Sequence, residues 1–212
     1  MRIALLGATG NIGRRVLAEA LERHHEVTAV ARDPSAFASE DPRLIPVAVN
    51  ATDAAQLEAV LDGQDAVVNA VGPSKGEPVS VVVDVSRALA GAAMRMRVRR
   101  VLIVGGAGSL TVEPGLELVA TRDFPQQLRP IALAHREALE IWRRVKELDW
   151  TYVSPPLSIV AGARTGQYRT GHNDLLVDEN GDSRISTEDL AFAIVDELEH
   201  HAHVRERVTF AY

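Results

Sequence analysis

Short β-branched apolar runs alternate with longer amphipathic stretches along almost the whole chain, and the first junction between them is a turn with glycine at positions 7, 10 and 13. Apolar runs of four to six residues suit strands buried on both faces, and the stretches between them can cross back over a sheet as helices. An α/β fold follows, a doubly wound parallel sheet of Rossmann type with helices on both faces. Six strands are expected, at 3–6, 26–31, 44–49, 66–71, 101–104 and 151–154.

The helices fall between them. Residues 11–23 follow the glycine turn, and 53–61 start at Thr52 or Asp53 as N-cap and stop at Gly63. The segment 79–96 opens on valines that favour a strand, but its length and its Ala and Arg content suit a crossover helix better. Residues 105–129 carry Gly and Pro without a sustained period and read as a long loop, a common seat of function. A helix resumes at 131–147, with Leu139, Trp142 and Val145 at helical spacing, and Pro155 and Pro156 end the strand that follows. From 157 to 184, Gly, Asn and Asp separate short runs expected to form small C-terminal hairpins on the substrate side of the sheet. A last helix at 188–199, capped by Ser186 or Thr187, leads to a closing strand at 207–212. With no repeat, low-complexity tract or linker, 1–212 reads as one domain, with substrate-side elements near 106–130 and 157–186.

Composition narrows the function. Lys and Arg number 23 against 29 Asp and Glu, a net charge of −6, so no basic surplus exists to hold nucleic acid or an anionic membrane. The chain has no cysteine, which removes thiolate metal sites and a cysteine nucleophile and fits a reducing compartment. No stretch approaches the ~20 apolar residues of a membrane span, and the expected location is cytoplasmic.

Gly7, Ala8, Thr9, Gly10, Asn11, Ile12 and Gly13 join the first strand to the first helix, where free backbone N–H groups and the positive helix end favour a phosphate. Gly7 allows the tight turn, Gly10 the approach of a pyrophosphate, and Gly13 close packing of helix on strand. The spacing is GxxGxxG rather than GxGxxG, and a glycine triplet also serves a bare strand-to-helix turn. Its place at the head of a βα series points to a dinucleotide. Where NAD-preferring proteins present an acid to the ribose 2′-hydroxyl, at the end of the second strand, this chain reads Val30, Ala31, Arg32, Asp33. A guanidinium there pairs with a 2′-phosphate and stacks on adenine, so NADP(H) is preferred, with NAD(H) kept open by Asp33. Arg14 or Arg15 can add to that charge. The alternative for Arg32 is a solvated side chain paired with Asp33.

Together with the glycine turn, VARDP at 30–34, GQDAVV at 63–68, LDWTYVSPP at 148–156, TGQY at 165–168 and LVDENGDSRISTEDL at 176–190 resemble the atypical short-chain dehydrogenase/reductase proteins with an NAD(P)H-binding domain. Within them the chain is most similar to NADH-flavin reductases and the flavin reductase/biliverdin reductase B type. The resemblance runs over nearly the whole chain. It implies that Thr9, Gly10, Asn11 and Ile12 contact the pyrophosphate, Arg32 the 2′-phosphate, Asn50 and Ala51 the adenine, and Ala70, Val71 and Gly72 the ribose and nicotinamide. Relatives carry Gly-Asp where this chain has Val49 and Asn50, so the adenine contact there falls to a side-chain amide or the backbone.

The larger superfamily carries Tyr-x-x-x-Lys on the helix before the sixth strand, because lysine lowers the tyrosine pKa and makes it a proton donor to a carbonyl. Here that helix reads Ile131, Ala132, Leu133, Ala134, His135, and the nearby tyrosine is Tyr152, followed by Val153, Ser154 and Pro155. Alcohol-dehydrogenase chemistry and sugar epimerisation are disfavoured. Flavin reductases of this kind need no strong acid, since hydride passes from nicotinamide to a planar acceptor by proximity and orientation. They have serine after the fifth strand and histidine after Pro-Pro, where this chain has Gly106 and Leu157. The candidate catalytic residues are therefore Ser109, the nearest hydroxyl, and His135, a proton donor near neutral pH where it points into the cleft. Their bland alternatives are a loop serine bonding its own backbone and a surface histidine. Phe124 and Pro125 either wall the acceptor or anchor the loop.

His200, His201 and His203 cluster at a helix end without an acidic partner in the same turn, so no metal is expected. Arg95, Arg97, Arg99 and Arg100 read as a charged helix end rather than a nucleic-acid patch. The expected function is an NAD(P)H-dependent reductase of a flavin, quinone or similar planar acceptor. The alternative is an NmrA-like dinucleotide-binding redox sensor without turnover, which the missing Tyr and Lys favour.

Overall fold

A computed structural model of the chain describes residues 1–37 and 41–212. Strands β1 (Arg2–Leu6), β2 (Glu26–Ala31), β3 (Leu44–Ala48), β4 (Ala66–Asn69) and β5 (Arg100–Val104) alternate with helices α1 (Asn11–Glu22), α2 (Ala54–Leu61) and α3 (Val81–Met96), and a 3-10 turn, Pro34–Ala36, follows β2. Two short strands come next, β6 (Thr111–Glu113) and β7 (Leu116–Glu117), then α4 (Arg129–Arg144) and β8 (Asp149–Val153). The chain closes with β9 (Ser158–Val160), β10 (Arg169–Gly171), β11 (Arg184–Ser186), α5 (Thr187–His200) and β12 (Glu206–Ala211).

One sheet carries the order β3-β2-β1-β4-β5-β8-β12-β10. Its neighbours are parallel except at the edge, where β10 runs antiparallel to β12. The strand order reverses between β1 and β4, and this reversal opens a crevice beyond their C-terminal ends. Alternation along β1 shows how both faces are covered: Ala4 and Leu6 join the core under α2, α3 and α4, while Ile3 and Leu5 join the core under α1 and α5.

Local chemistry fixes the helix ends. Asp53 caps α2 by accepting from the Ala55 and Gln56 N–H groups at 3.0 and 3.2 Å, and Ser186 caps α5 by accepting from the Asp189 N–H at 2.9 Å. The valine-rich start of α3 is helical because Val82, Val83 and Val85 are buried in the core there, which outweighs their strand propensity.

Two expectations change. The long 105–129 loop contains the antiparallel β6–β7 pair and three 3-10 turns. The 157–186 region forms no hairpin of its own: β9 pairs in parallel with the distant β11, and β10 extends the main sheet through β12. The intervening residues hang on Asp189, which accepts from the N–H groups of Thr165 and Gly166 at 2.7 and 2.8 Å and from the Tyr212 hydroxyl at 2.6 Å.

Candidate functional site

Three chain segments leave the sheet together at the crevice, because Leu6 is in register with Val30 on one side and with Asn69 on the other. Gly7 turns the chain with φ +74°, and a Cβ on it would lie 2.7 Å from the Ala70 carbonyl carbon, so only glycine lets β1 turn beside the end of β4. A Cβ on Gly13 would stand 2.1 Å from the Gly7 carbonyl oxygen, which explains how tightly α1 sits on the turn. Gly10 is the N-cap of α1 and donates its N–H to the Gly7 carbonyl at 2.9 Å. Among the described residues no side chain caps that helix, so its first-turn N–H groups are open to a ligand.

These segments wall a cleft of about 520 Å³. Gly7, Thr9, Gly10, Arg32, Asn50, Ala51, Ala70, Val71 and Gly72, all singled out in the sequence, line it together. Asn11, Ile12 and Gly13 form the adjoining turn of α1 without lining it: the Asn11 side-chain oxygen accepts from Arg15 at 3.1 Å, and Ile12 packs toward the core. The Asn50 side-chain oxygen is taken up by the Thr52 N–H and hydroxyl at 3.2 and 2.9 Å. The turn carrying Ala70 to Gly72 is set by buried Asn69, whose side chain accepts from the Val71 N–H at 3.1 Å.

The wall continues past Gly72 through Ser74, Glu77, Pro78, Val81 and Asp84, none of them singled out in the sequence. The signal was present in GPSKGEP at 72–78, a second turn-forming stretch after a strand that ends at the crevice. Arg32 is exposed at the rim, with Nη1 on the Glu77 carboxylate and Nη2 2.9 Å from Ser74 Oγ. It is not paired with Asp33, whose carboxylate accepts the Ser35 N–H at 2.9 Å and is held below its usual range by that residue. Arg14 turns back to the Gly10 and Thr9 carbonyls beside the cleft, while Arg15 meets Glu188 at 3.3 Å.

The donor set fits a dinucleotide. A glycine floor and an uncapped helix end suit a pyrophosphate, the Arg32 guanidinium suits an anionic substituent on the ribose, and the small residues at Ala70 to Gly72 leave room beyond the end of β4.

Both candidate catalytic residues take other places. Ser109 is buried, and its hydroxyl and carbonyl oxygens accept from the Arg207 guanidinium at 3.0 and 2.8 Å, so it anchors a loop to β12 instead of facing the cleft. His135 packs its ring against Gly106, where a Cβ would stand 3.0 Å from its Cδ2. Its Nδ1 is buried without a partner among the described residues, and burial pushes its pKa down to about 4, which leaves it neutral at pH 7. Neither residue lines the cleft, and neither do Phe124 and Pro125.

The basic run and the histidine cluster also need correction. Arg100 begins β5 inside the protein and reaches Glu197 of α5 at 2.7 Å, a pair only 3% exposed on each side. The same Glu197 takes the His203 ring at 2.7 Å, and His200 Nδ1 lies 2.8 Å from the Asp196 carbonyl oxygen, so the cluster does have partners in its own helix. Asp196, Glu199 and His200 stand close enough to share a cation, but Arg23 already bridges the two carboxylates at 3.0 and 2.6 Å.

Comparison with solved structures places the whole chain. A "putative exported protein" of Burkholderia pseudomallei is 47% identical, with a TM-score of 0.91 and all of both chains covered. A "putative epimerase" of Bacteroides thetaiotaomicron is 39% identical, with a TM-score of 0.92 over 100% of this chain and 96% of that one. A "putative NADH-flavin reductase" of Streptococcus pneumoniae TIGR4 is 30% identical, with a TM-score of 0.89 over 100% and 99% of the two chains. The profile of the NAD(P)H-binding family matches residues 7–201, from the first glycine of the crevice to the end of α5, and the chain belongs to that family.

Proposed function

We propose that this protein is an NADPH-preferring reductase that passes hydride to a flavin, quinone or similar planar acceptor. The observation that carries the reading is the position of Arg32, a guanidinium at the rim of a glycine-floored cleft at the place where NAD-preferring folds carry an acid. The likeness to the streptococcal protein named for flavin reduction supports the choice of acceptor. Bound dinucleotide supplies the hydride. Gly7, Gly10 and the open end of α1 hold its pyrophosphate, Arg32 its 2′-phosphate, and Ala70 to Gly72 its nicotinamide half. A cysteine-free chain drawing on NADPH suits a reducing, cytoplasmic location, and among the described residues no helix is long and apolar enough to cross a membrane.

The chain's own residues position the reactants instead of supplying a strong acid. Tyr152 is engaged and buried, His135 is neutral, and no Tyr-x-x-x-Lys pair is present, which argues against the carbonyl and epimerase chemistry that needs one. Reduction of a flavin ring needs only orientation and a proton from solvent. The test offers FMN, FAD, riboflavin and a quinone in turn with NADPH under anaerobic conditions and follows acceptor bleaching. Turnover with one of them supports the reading. Saturable NADPH binding with every acceptor untouched would assign the protein to the redox sensors.

A further inference from the structure

The 72–78 loop reaches over the mouth of the cleft to the end of β2, and Glu77 makes the crossing. One of its carboxylate oxygens receives Arg32 Nη1, while the other accepts the Ser74 N–H at 2.7 Å. Glu77 is therefore aimed from its own loop as well as by its partner, and the Ser74 N–H, followed by Arg32, holds its carboxyl below the usual range. A Cβ built on Gly72 or Gly76 would meet no atom of the described residues within 4 Å, so the loop borders open space there.

We propose that Glu77 sets the preference between phosphorylated and unphosphorylated dinucleotides, because its carboxylate occupies the same Arg32 guanidinium that a ribose 2′-phosphate requires. The inference rests on the reading of the cleft as an NAD(P)H site and goes beyond it by naming a residue that opposes Arg32. A dinucleotide with a bare 2′-hydroxyl leaves the Arg32–Glu77 pair intact. A 2′-phosphate must displace the carboxylate from Nη1 and then sit beside it, whereas neutral Ser74 can stay and donate its hydroxyl to the phosphate. An exposed ion pair of this kind opens at little cost. Glu77 therefore tunes NADP(H) binding without blocking it, and the residual repulsion acts through solvent and is screened by salt.

Calorimetric titration of the wild type and of Glu77→Gln with NADPH, NADH and adenosine 2′-monophosphate tests this. Glutamine keeps the size and the acceptor for the Ser74 N–H while removing the charge. The expected result is NADPH and the 2′-monophosphate bound on the order of tenfold tighter at low salt, the gain falling to about twofold near 0.5 M salt, and NADH changed by less than about twofold. In an Arg32→Ala background the gain should shrink to the direct repulsion alone and vanish at high salt, since the competition needs the guanidinium. Equal changes for NADPH and NADH, or none for either with both still bound, would overturn the role of Glu77 and leave the cofactor reading standing. Failure of the wild type to bind either dinucleotide would overturn both.

Discussion

The Tyr152 hydroxyl donates to the backbone carbonyl of His135 at 2.8 Å, joining the strand beside β5 to the middle of α4. The ring lies so close under Gly105 that a Cβ there would stand 2.0 Å from Tyr152 Cε1, and the side chain is 1% exposed. Burial raises its pKa well above the ordinary tyrosine value. The tyrosine nearest that helix in the sequence is therefore a structural tie between two elements.

Tyr152→Phe should leave NADPH turnover within about twofold of wild type while lowering stability by about 1 kcal/mol, the net worth of one buried hydrogen bond. Steady-state kinetics and urea denaturation separate the two effects. A loss of turnover of a hundredfold or more in a protein that keeps its stability would make Tyr152 a catalytic group after all.

Arg32→Ala removes a charge-assisted contact available only to a 2′-phosphate. NADPH affinity should fall by about 1.5–3 kcal/mol, at least tenfold, with NADH nearly unchanged. Fluorescence titration of both cofactors gives the ratio, and equal losses would remove Arg32 from the 2′-phosphate site.

The glycines divide into two kinds of requirement. At Gly13 the obstruction is the protein's own Gly7 carbonyl, so Gly13→Ala should destabilise the fold and abolish dinucleotide binding together. At Gly10 the nearest protein atom to an added Cβ is 3.2 Å away, and Gly10→Val should leave a folded chain whose side chain fills the pyrophosphate space. Thermal denaturation paired with NADPH titration distinguishes them, and retained binding in Gly10→Val would make that turn a purely structural one.

His135 predicts a pH dependence. Its folded-state pKa is about 4, below the ordinary histidine value of 6.5, and the cause is burial. Between those values the unfolded chain binds a proton that the folded chain refuses, so stability falls as pH drops from 6.5 toward 4 and this contribution levels off below that. The full difference from this one residue is roughly 3 kcal/mol. His135→Gln should flatten the stability curve across that window when urea midpoints are compared from pH 7 to pH 4. Parallel curves for the two proteins would place the imidazole in water.

The succession of strands and helices was legible because parallel strands are short, apolar and separated by helices whose caps and periods are local signals, as at Asp53 and Ser186. The glycine turn and Arg32 were legible because backbone conformation and charge belong to the residue itself. What could not be read was pairing at a distance. Arg100 lies in a run of arginines in the sequence, yet its partner Glu197 comes from a helix 97 residues later. Ser109 was read as a catalytic hydroxyl or a loop serine bonding its own backbone because nothing nearby in sequence announced Arg207, and Glu77 went unnoticed because its relation to Arg32 exists only where two loops meet.

The central claim is that the crevice binds NADPH and presents it to an acceptor, and one titration followed by one addition tests it most directly. NADPH fluorescence is followed as protein is added to saturation in the absence of oxygen, and FMN is then introduced into the same cuvette. The account predicts saturable binding, then loss of nicotinamide fluorescence at a rate that depends on the protein, with the flavin bleached in equal amount. Bound NADPH that persists unchanged in the presence of FMN, and equally with riboflavin, FAD or a quinone, would contradict it.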